Sequence, residues 1–232
     1  MRWIVLSDIH GDLDALTRAL DEAGSYDLAI IAGDITNFGD AVEARAILAP
    51  LFDRLRPIVA VSGNCDGDGV RTALESAGVS IEGRCAELAG FTFAGAGGGL
   101  RRHGMTPYES TEDELEALLL SALDGEDRGR KGGRSLVVVT HTPPNGTPLD
   151  RRGSSHFGSH AFRTILGERV PSLWVSGHIH EGRSLWTTGA SVLVNPGSVH
   201  EGYFAVADIL EGEPPRVTLE SFERRPSRGG SD

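Results

Sequence analysis

Short runs of consecutive apolar residues recur along the chain, and most stop abruptly at glycine, Asp, Asn or His. In the first part the runs cover residues 2–7, 28–32 and 57–62. Runs this short, closed by turn-forming residues, predict buried strands rather than helices. Between and after them, residues 12–20, 40–51 and 68–77 carry apolar side chains at helical spacing. The first of these segments opens with acidic residues that complement a helix dipole. Strand and helix thus alternate three times, which predicts a largely parallel sheet flanked by helices.

The pattern then changes. Residues 85–94 predict a hairpin about Gly90 that leads into a glycine-rich run at 95–99. A helix is predicted over 112–123 with Thr111 as its cap, and the charged, glycine-rich stretch 124–134 predicts a solvated loop. Residues 136–140 make the clearest core strand of the second half, with a helix near 159–166 and a strand at 173–176 after it. Short strands at 184–188, 192–194, 202–209 and 216–222 close the fold, and the tail 224–232 is expected to be disordered. With no internal repeat and no long linker, one domain over 1–223 is expected.

Composition removes several classes of function. A hydrophobic fraction of 39% and a charged fraction of 24% are those of an ordinary globular protein, and 232 residues suffice for one substantial core. A formal net charge of -11 disfavours nucleic acid as a partner, because phosphate backbones need clustered Lys and Arg. No run reaches the length of a membrane span, and a core strand at the N-terminus leaves no room for a signal peptide. Two cysteines, Cys65 and Cys85, make no disulfide framework, so a cytoplasmic location is expected.

The candidate chemistry lies where the strands end. Five predicted strands finish in Asp8 with His10, in Asp34, in Asn64 with Asp66, in His141, and in His178 with His180. In an extended segment the two-residue spacing of Asp8 and His10 turns both side chains to one side. In open α/β sheets ligands bind at the carboxyl ends of strands. Asp, Asn and His together suit manganese, iron, nickel or zinc better than calcium. More than four candidate ligands also exceed what one tetrahedral zinc uses, so two ions about 3.5–4 Å apart, bridged by a carboxylate, are the economical solution.

The series Asp8-Ile9-His10, Gly33-Asp34, Gly63-Asn64-Cys65-Asp66, Thr140-His141 and Gly177-His178-Ile179-His180 resembles the calcineurin-like metallophosphoesterase superfamily. Cys65 in the third motif and the turn Asn195-Pro196-Gly197-Ser198 resemble its small phosphodiesterase branch. The resemblance implies a four-layer α/β/β/α sandwich, two mixed sheets face to face with helices outside. It assigns Asp8, His10, Asp34 and His180 to a first metal ion. Asp34, Asn64, His141 and His178 go to a second, with Asp34 bridging. Asp66 would orient a ligand or the residue before it. Manganese is the expected ion, with nickel, iron and zinc as alternatives.

The implied reaction is hydrolysis of a small phosphoester by in-line attack of a hydroxide that bridges the two ions. Asn64, Cys65, Asp66 and His141 are the candidate catalytic residues. Phosphomonoesterase members of the superfamily carry His where this chain has Cys65. A thiol, with a reference pKa of about 8.5, is a weak donor. A phosphodiesterase acting on aryl or strained cyclic esters is therefore expected ahead of a phosphomonoesterase or protein phosphatase. The alternative from another class is a non-catalytic metal-binding scaffold, and a homodimer stays open. His156, His160 and His200 are expected to be solvent-facing or locally satisfied. His103 follows the glycine-rich run, which lacks the spacing of a nucleotide-binding loop. The polar segment 147–158, with Arg151 and Arg152, reads as a surface loop or a lid on the substrate side.

Overall fold

The computed structural model describes residues 1–101, 104–129 and 135–223. His103, the end of the expected 124–134 loop and the tail 224–232 lie outside the described residues. The first half runs β1 (Arg2–Leu6), α1 (Leu13–Ala23), β2 (Leu28–Ala32), α2 (Ala41–Asp53), β3 (Ile58–Val61) and α3 (Asp68–Ser76). The hairpin β4 (Cys85–Leu88) and β5 (Phe91–Ala96) follows, then the short β6 (Gly99–Leu100) and β7 (Glu109–Ser110). Next come α4 (Glu112–Gly129), β8 (Ser135–Thr140), the small hairpin β9 (Arg151–Arg152) with β10 (Ser155–His156), and α5 (His160–Arg169). β11 (Leu173–Val175), β12 (Ser184–Thr188), β13 (Ser191–Asn195), β14 (Tyr203–Asp208) and β15 (Arg216–Ser221) complete the chain.

Two mixed sheets form the centre, ordered β15-β14-β1-β2-β3 and β12-β13-β11-β8-β5-β4. In the first, β1, β2 and β3 are parallel, as the strand–helix alternation predicts, and β14 and β15 add antiparallel strands at the edge. In the second, β5, β8, β11 and β13 are parallel, with β4 and β12 antiparallel at the two edges. The alternation of side chains along each strand divides the apolar residues between two faces. Trp3, Val5, Leu28 and Ile30 meet Phe93, Val137, Val139 and Val175 in a core between the sheets. The opposite face of the first sheet packs Ile4, Leu6, Ala29 and Ile31 against α1, α2 and α3. That of the second packs Val138 and Trp174 against Leu119 of α4 and Phe162 of α5. These are the four layers of the expected sandwich.

Local signals set the helix starts. Asp12 Oδ1 accepts the N–H of Ala15, and Asp40 Oδ1 accepts those of Val42 and Glu43. Thr111 and Glu114 make a reciprocal capping box at the head of α4. The end of α4 corrects the sequence expectation: the helix runs on to Gly129 through residues assigned to a loop. Gly125 costs a helix interior only about 1 kcal/mol, and extending an established helix is cheap, so the charged stretch continues it.

Candidate metal centre

The turns after β1, β2 and β11 share an uncommon backbone. Asp8, His10, Asp34 and His178 all have left-handed φ, at 53°, 50°, 51° and 68°. Asp8 and His10 therefore do not converge as alternating residues of an extended strand, as their spacing suggests. A tight left-handed turn brings them together instead. Such a conformation costs a non-glycine residue roughly 1 kcal/mol or more and persists where its surroundings hold it. Here the Asp8 N–H donates to Gly33 O (3.0 Å), that of His10 to Asp34 O (2.9 Å) and that of Gly11 to Ile35 O (2.9 Å). Ser198 Oγ, in the Asn195-Pro196-Gly197-Ser198 turn, donates to Asp8 O at 2.8 Å.

Asp8 and Asp34 each have one oxygen engaged by the protein and one turned to histidines. Asp8 Oδ2 accepts the Ser7 hydroxyl (2.6 Å) and the His178 N–H (3.1 Å), while Oδ1 faces His180 Nε2 at 3.3 Å and His10 Nε2 at 3.8 Å. Asp34 Oδ1 accepts the Cys65 N–H (2.8 Å), while Oδ2 faces His141 Nε2 at 3.4 Å and His10 Nε2 at 3.8 Å. The His178 ring lies against that of His141, with centroids 4.9 Å apart. Every residue singled out as a candidate ligand thus falls at one rim of the sandwich.

The donor chemistry tests whether these residues fit a cation. His141 is fully buried, and its Nδ1 lies 2.7 Å from Ala32 O, a pure acceptor, so Nδ1 carries the proton. In the neutral ring its Nε2 lone pair then points at Asn64 Oδ1 (2.9 Å) and Asp34 Oδ2 (3.4 Å). Acceptors converging without a donor are satisfied only by a proton or a metal ion between them. Ligand atoms of Asp8, His10 and His180 lie within 4.8 Å of one another, as do those of Asp8, Asp34 and His141, and of His10, Asp34 and Cys65. The residues present fit divalent ions.

Electrostatics agree. Burial opposes charge on Asp34, but His141, His10 and the Cys65 N–H hold its carboxyl well below the usual range. Burial likewise opposes charge on Asp8, and the His180 hydrogen bond together with the charges of His141 and His180 outweighs it. Against their own burial, Asp34 raises His141, and Asp8 with Glu201 raises His180, each to about 9. Burial and the neighbouring His141 push His178 down to about 4, which leaves it a neutral imidazole at pH 7.

Outside this set, Asp66 touches none of the candidate ligand atoms. Its carboxylate accepts the N–H groups of Ile35 (3.0 Å), Thr36 (2.9 Å) and Gly63 (2.9 Å), which pins the residue after Asp34 to the residue before Asn64. Burial and the Asp34 charge push it up to about 6 against the pull of those donors. The buried Asn195 amide donates to Ile179 O (2.8 Å) and Leu149 O (3.2 Å), joining the His178–His180 turn to the base of the β9–β10 hairpin. That hairpin is no loose lid: buried Asp150 accepts the N–H groups of Gly146, Thr147 and Gly158 and the His156 ring. A pocket of about 660 Å³ opens beside His178 and His180, walled by Arg152, Glu181, Arg183 and Tyr203.

The glycine-rich run serves close packing. A Cβ on Gly97 would lie 2.7 Å from Ser62 O, and one on Gly99 2.7 Å from Asn64 Cβ. His156 and His200 are paired with Asp150 and Asp12, as expected of locally satisfied groups. Two residues near the centre escape sequence reasoning. Ser7 signals nothing beyond its place before Asp8. Glu201, whose Oε1 lies 2.9 Å from His180 Nδ1, meets its partner only through the sheet topology.

Among the described residues no helix is long and apolar enough to cross a membrane. The model of the calcineurin-like phosphoesterase family matches residues 1–182. The chain is 30% identical over 227 residues to an uncharacterised protein of Methanocaldococcus jannaschii, covering 96% of this chain and 97% of that one. Its fold is similar to that of TT1561 of Thermus thermophilus, at 19% identity and a TM-score of 0.73, over 95% of this chain and 98% of that one. A dimetal phosphatase from Danio rerio is similar in fold at 14% identity and a TM-score of 0.57, with 95% of each chain covered. Since the family model spans most of the chain, and the residues gathered at the rim fit divalent ions, the chain belongs to the calcineurin-like phosphoesterase family and is a metallophosphoesterase.

Proposed function

We propose that this metallophosphoesterase is dinuclear and acts on phosphodiesters. The observation that carries the dinuclear reading is Asp34 Oδ2, a single oxygen that faces His10 on one side and His141 on the other. Asp8, His10, Asp34 and His180 would hold one ion, and Asp34, Asn64, His141 and His178 the other. Manganese is the first choice, with nickel, iron and zinc as alternatives. When bound, such a pair lowers the pKa of water and neutralises the charge that builds on the phosphoryl oxygens.

The chain's own residues do the positioning. Ser7 and the His178 N–H turn Asp8 so that Oδ1 faces the centre, and the Cys65 N–H does the same for Asp34. Glu201 fixes the His180 ring through Nδ1 and makes Nε2 a better ligand. Glu201→Ala should weaken manganese binding by about tenfold, the low end of the usual range, because the carboxylate is half exposed. Calorimetric titration of the metal-free protein reads this, and an unchanged affinity removes Glu201 from the site.

The preference for diesters rests on Cys65. Burial and the Asp34 charge push the thiol up, so it keeps its proton at neutral pH and serves a leaving oxygen poorly. Esters whose leaving group departs without a proton suit such a centre. The manganese-loaded protein should turn over bis(p-nitrophenyl) phosphate faster than phenyl phosphate. Cys65→His should move that ratio towards the monoester by at least about tenfold, since a well-placed general acid contributes 10²–10⁴-fold. A ratio that stays or moves the other way removes Cys65 from specificity. Bound metal with no hydrolysis of either ester turns the protein into a scaffold.

A further inference from the structure

One residue in the loop between β2 and α2 is costly and has no folding rationale. Phe38 has φ 62°, and it is 56% exposed. For a bulky side chain this backbone is an outlier, and glycine would adopt it freely. Leu55 and Val170 are also left-handed and exposed, but they stand at or just after the C-caps of α2 and α5, where such residues end helices. Phe38 ends no helix. Its N–H donates to Cys65 O at 3.2 Å, which fastens it to the turn that carries Asn64 and Cys65.

A second exposed apolar side chain is displayed on another braced turn. Met105 is 79% exposed. The Glu109 carboxylate gathers the N–H groups of Gly104, Met105 and Thr106 at 2.9, 2.9 and 3.0 Å and sets the turn. The Tyr108 N–H donates to Asn64 O at 3.1 Å, and the Tyr108 ring stacks under the Arg71 guanidinium at 4.2 Å. Two separately built turns therefore attach to adjacent peptides, Asn64 and Cys65, and each presents an apolar side chain to solvent.

We propose that Phe38 and Met105 form the apolar wall that takes the aromatic group of the phosphoester. This rests on the phosphoesterase reading and names the substrate class for the same centre. The pocket on the His178–His180 side is polar, walled by Arg152, Glu181, Arg183 and Tyr203, so the apolar part of an ester has its place on the Asn64–Cys65 side. A phenyl ring offers a stacking face and thioether sulfur binds well at ring edges, so the occupant is an aryl or heteroaromatic ester rather than an alkyl one.

Phenylphosphonate and methylphosphonate test this, because they share the anionic head and differ only in the ring. As inhibitors of the manganese-loaded full chain acting on bis(p-nitrophenyl) phosphate, phenylphosphonate should bind about tenfold more tightly, in line with the cost of losing one stacking contact. In Phe38→Gly, which keeps the left-handed backbone and loses the ring, the ratio should fall to about one. Phe38→Trp should keep or raise it, and Met105→Ala should lower it in part. A wild-type ratio near one, or a ratio unmoved by Phe38→Gly, overturns the wall. A melting temperature lowered in Phe38→Gly with the ratio intact makes the ring structural and overturns it too. No hydrolysis of bis(p-nitrophenyl) phosphate by the manganese-loaded chain would sink the phosphoesterase reading, and the wall with it, whereas hydrolysis that neither phosphonate inhibits would overturn the wall alone.

Discussion

Asp34→Ala is expected to lower kcat/KM on an aryl phosphodiester by at least about three orders of magnitude. Removing one hydrogen-bond donor from a charged transition state commonly costs 10²–10³-fold, and Asp34 bears on more than one such contact. Its Oδ2 lies between His10 and His141, so without it both nitrogen sets lose a shared anionic oxygen. Its Oδ1 accepts the Cys65 N–H, which would be left buried without a partner at a cost of about 1–3 kcal/mol. The alanine variant therefore mixes lost chemistry with lost structure. Asp34→Asn separates them, because its amide oxygen still accepts from Cys65 while the charge is gone. The asparagine variant should keep its fold by circular dichroism, hold fewer than two equivalents of manganese by elemental analysis, and be nearly inactive. Two equivalents of metal with activity within about tenfold of wild type would end the case for Asp34 as the bridge.

The strand ends were legible because each is written locally: an apolar run, then glycine, Asp, Asn or His within one turn. Asp34, Asn64, His141 and the His178–His180 pair fall where the ends of those runs predict. The sandwich follows from the same pattern, since parallel strands must bury both faces. What the sequence conceals is long-range or conformational. The left-handed turn at Asp8 and His10 leaves no compositional mark, because Asp and His adopt it without a glycine. Glu201 reaches His180 across 21 residues only because β13 carries the chain back along the sheet before the turn into β14. The sequence offers Asp66 a positioning role but not its partners: the carboxylate closes a contact with the Ile35–Thr36 backbone some 30 residues away. The end of α4 escapes the sequence for a different reason: charge and glycine suggest a loop, yet a helix already under way extends through them at little cost.

Removing the metal should change the pH dependence of stability as well as abolish activity. In the metal-free protein His141 and His180 are raised to about 9 by the carboxylates they face. A histidine raised on folding contributes stability that is complete below its unfolded value of about 6.5 and disappears as the pH climbs through its folded value. His178 is depressed to about 4, so its contribution has the opposite sense: complete above about 6.5 and lost as the pH falls towards 4. The chelated protein should therefore weaken above pH 6.5. Below it the loss from His178 is opposed by Asp66, whose carboxyl, pushed up to about 6, favours the folded state as the pH falls, so that the acid limb stays shallow. From pH 6.5 to 9.5 the loss from His141 alone is of order 3 kcal/mol, equivalent to roughly 6–12 °C in melting temperature for a chain of this size. With manganese present the same nitrogens are occupied, so the alkaline decline should largely vanish, while the acid limb steepens because protons compete for every ligand. Thermal melts of chelated and manganese-loaded protein across pH 5–9.5 read both limbs. Parallel profiles would mean that the ions sit elsewhere, because no other placement leaves His141 and His180 titrating as though unbound.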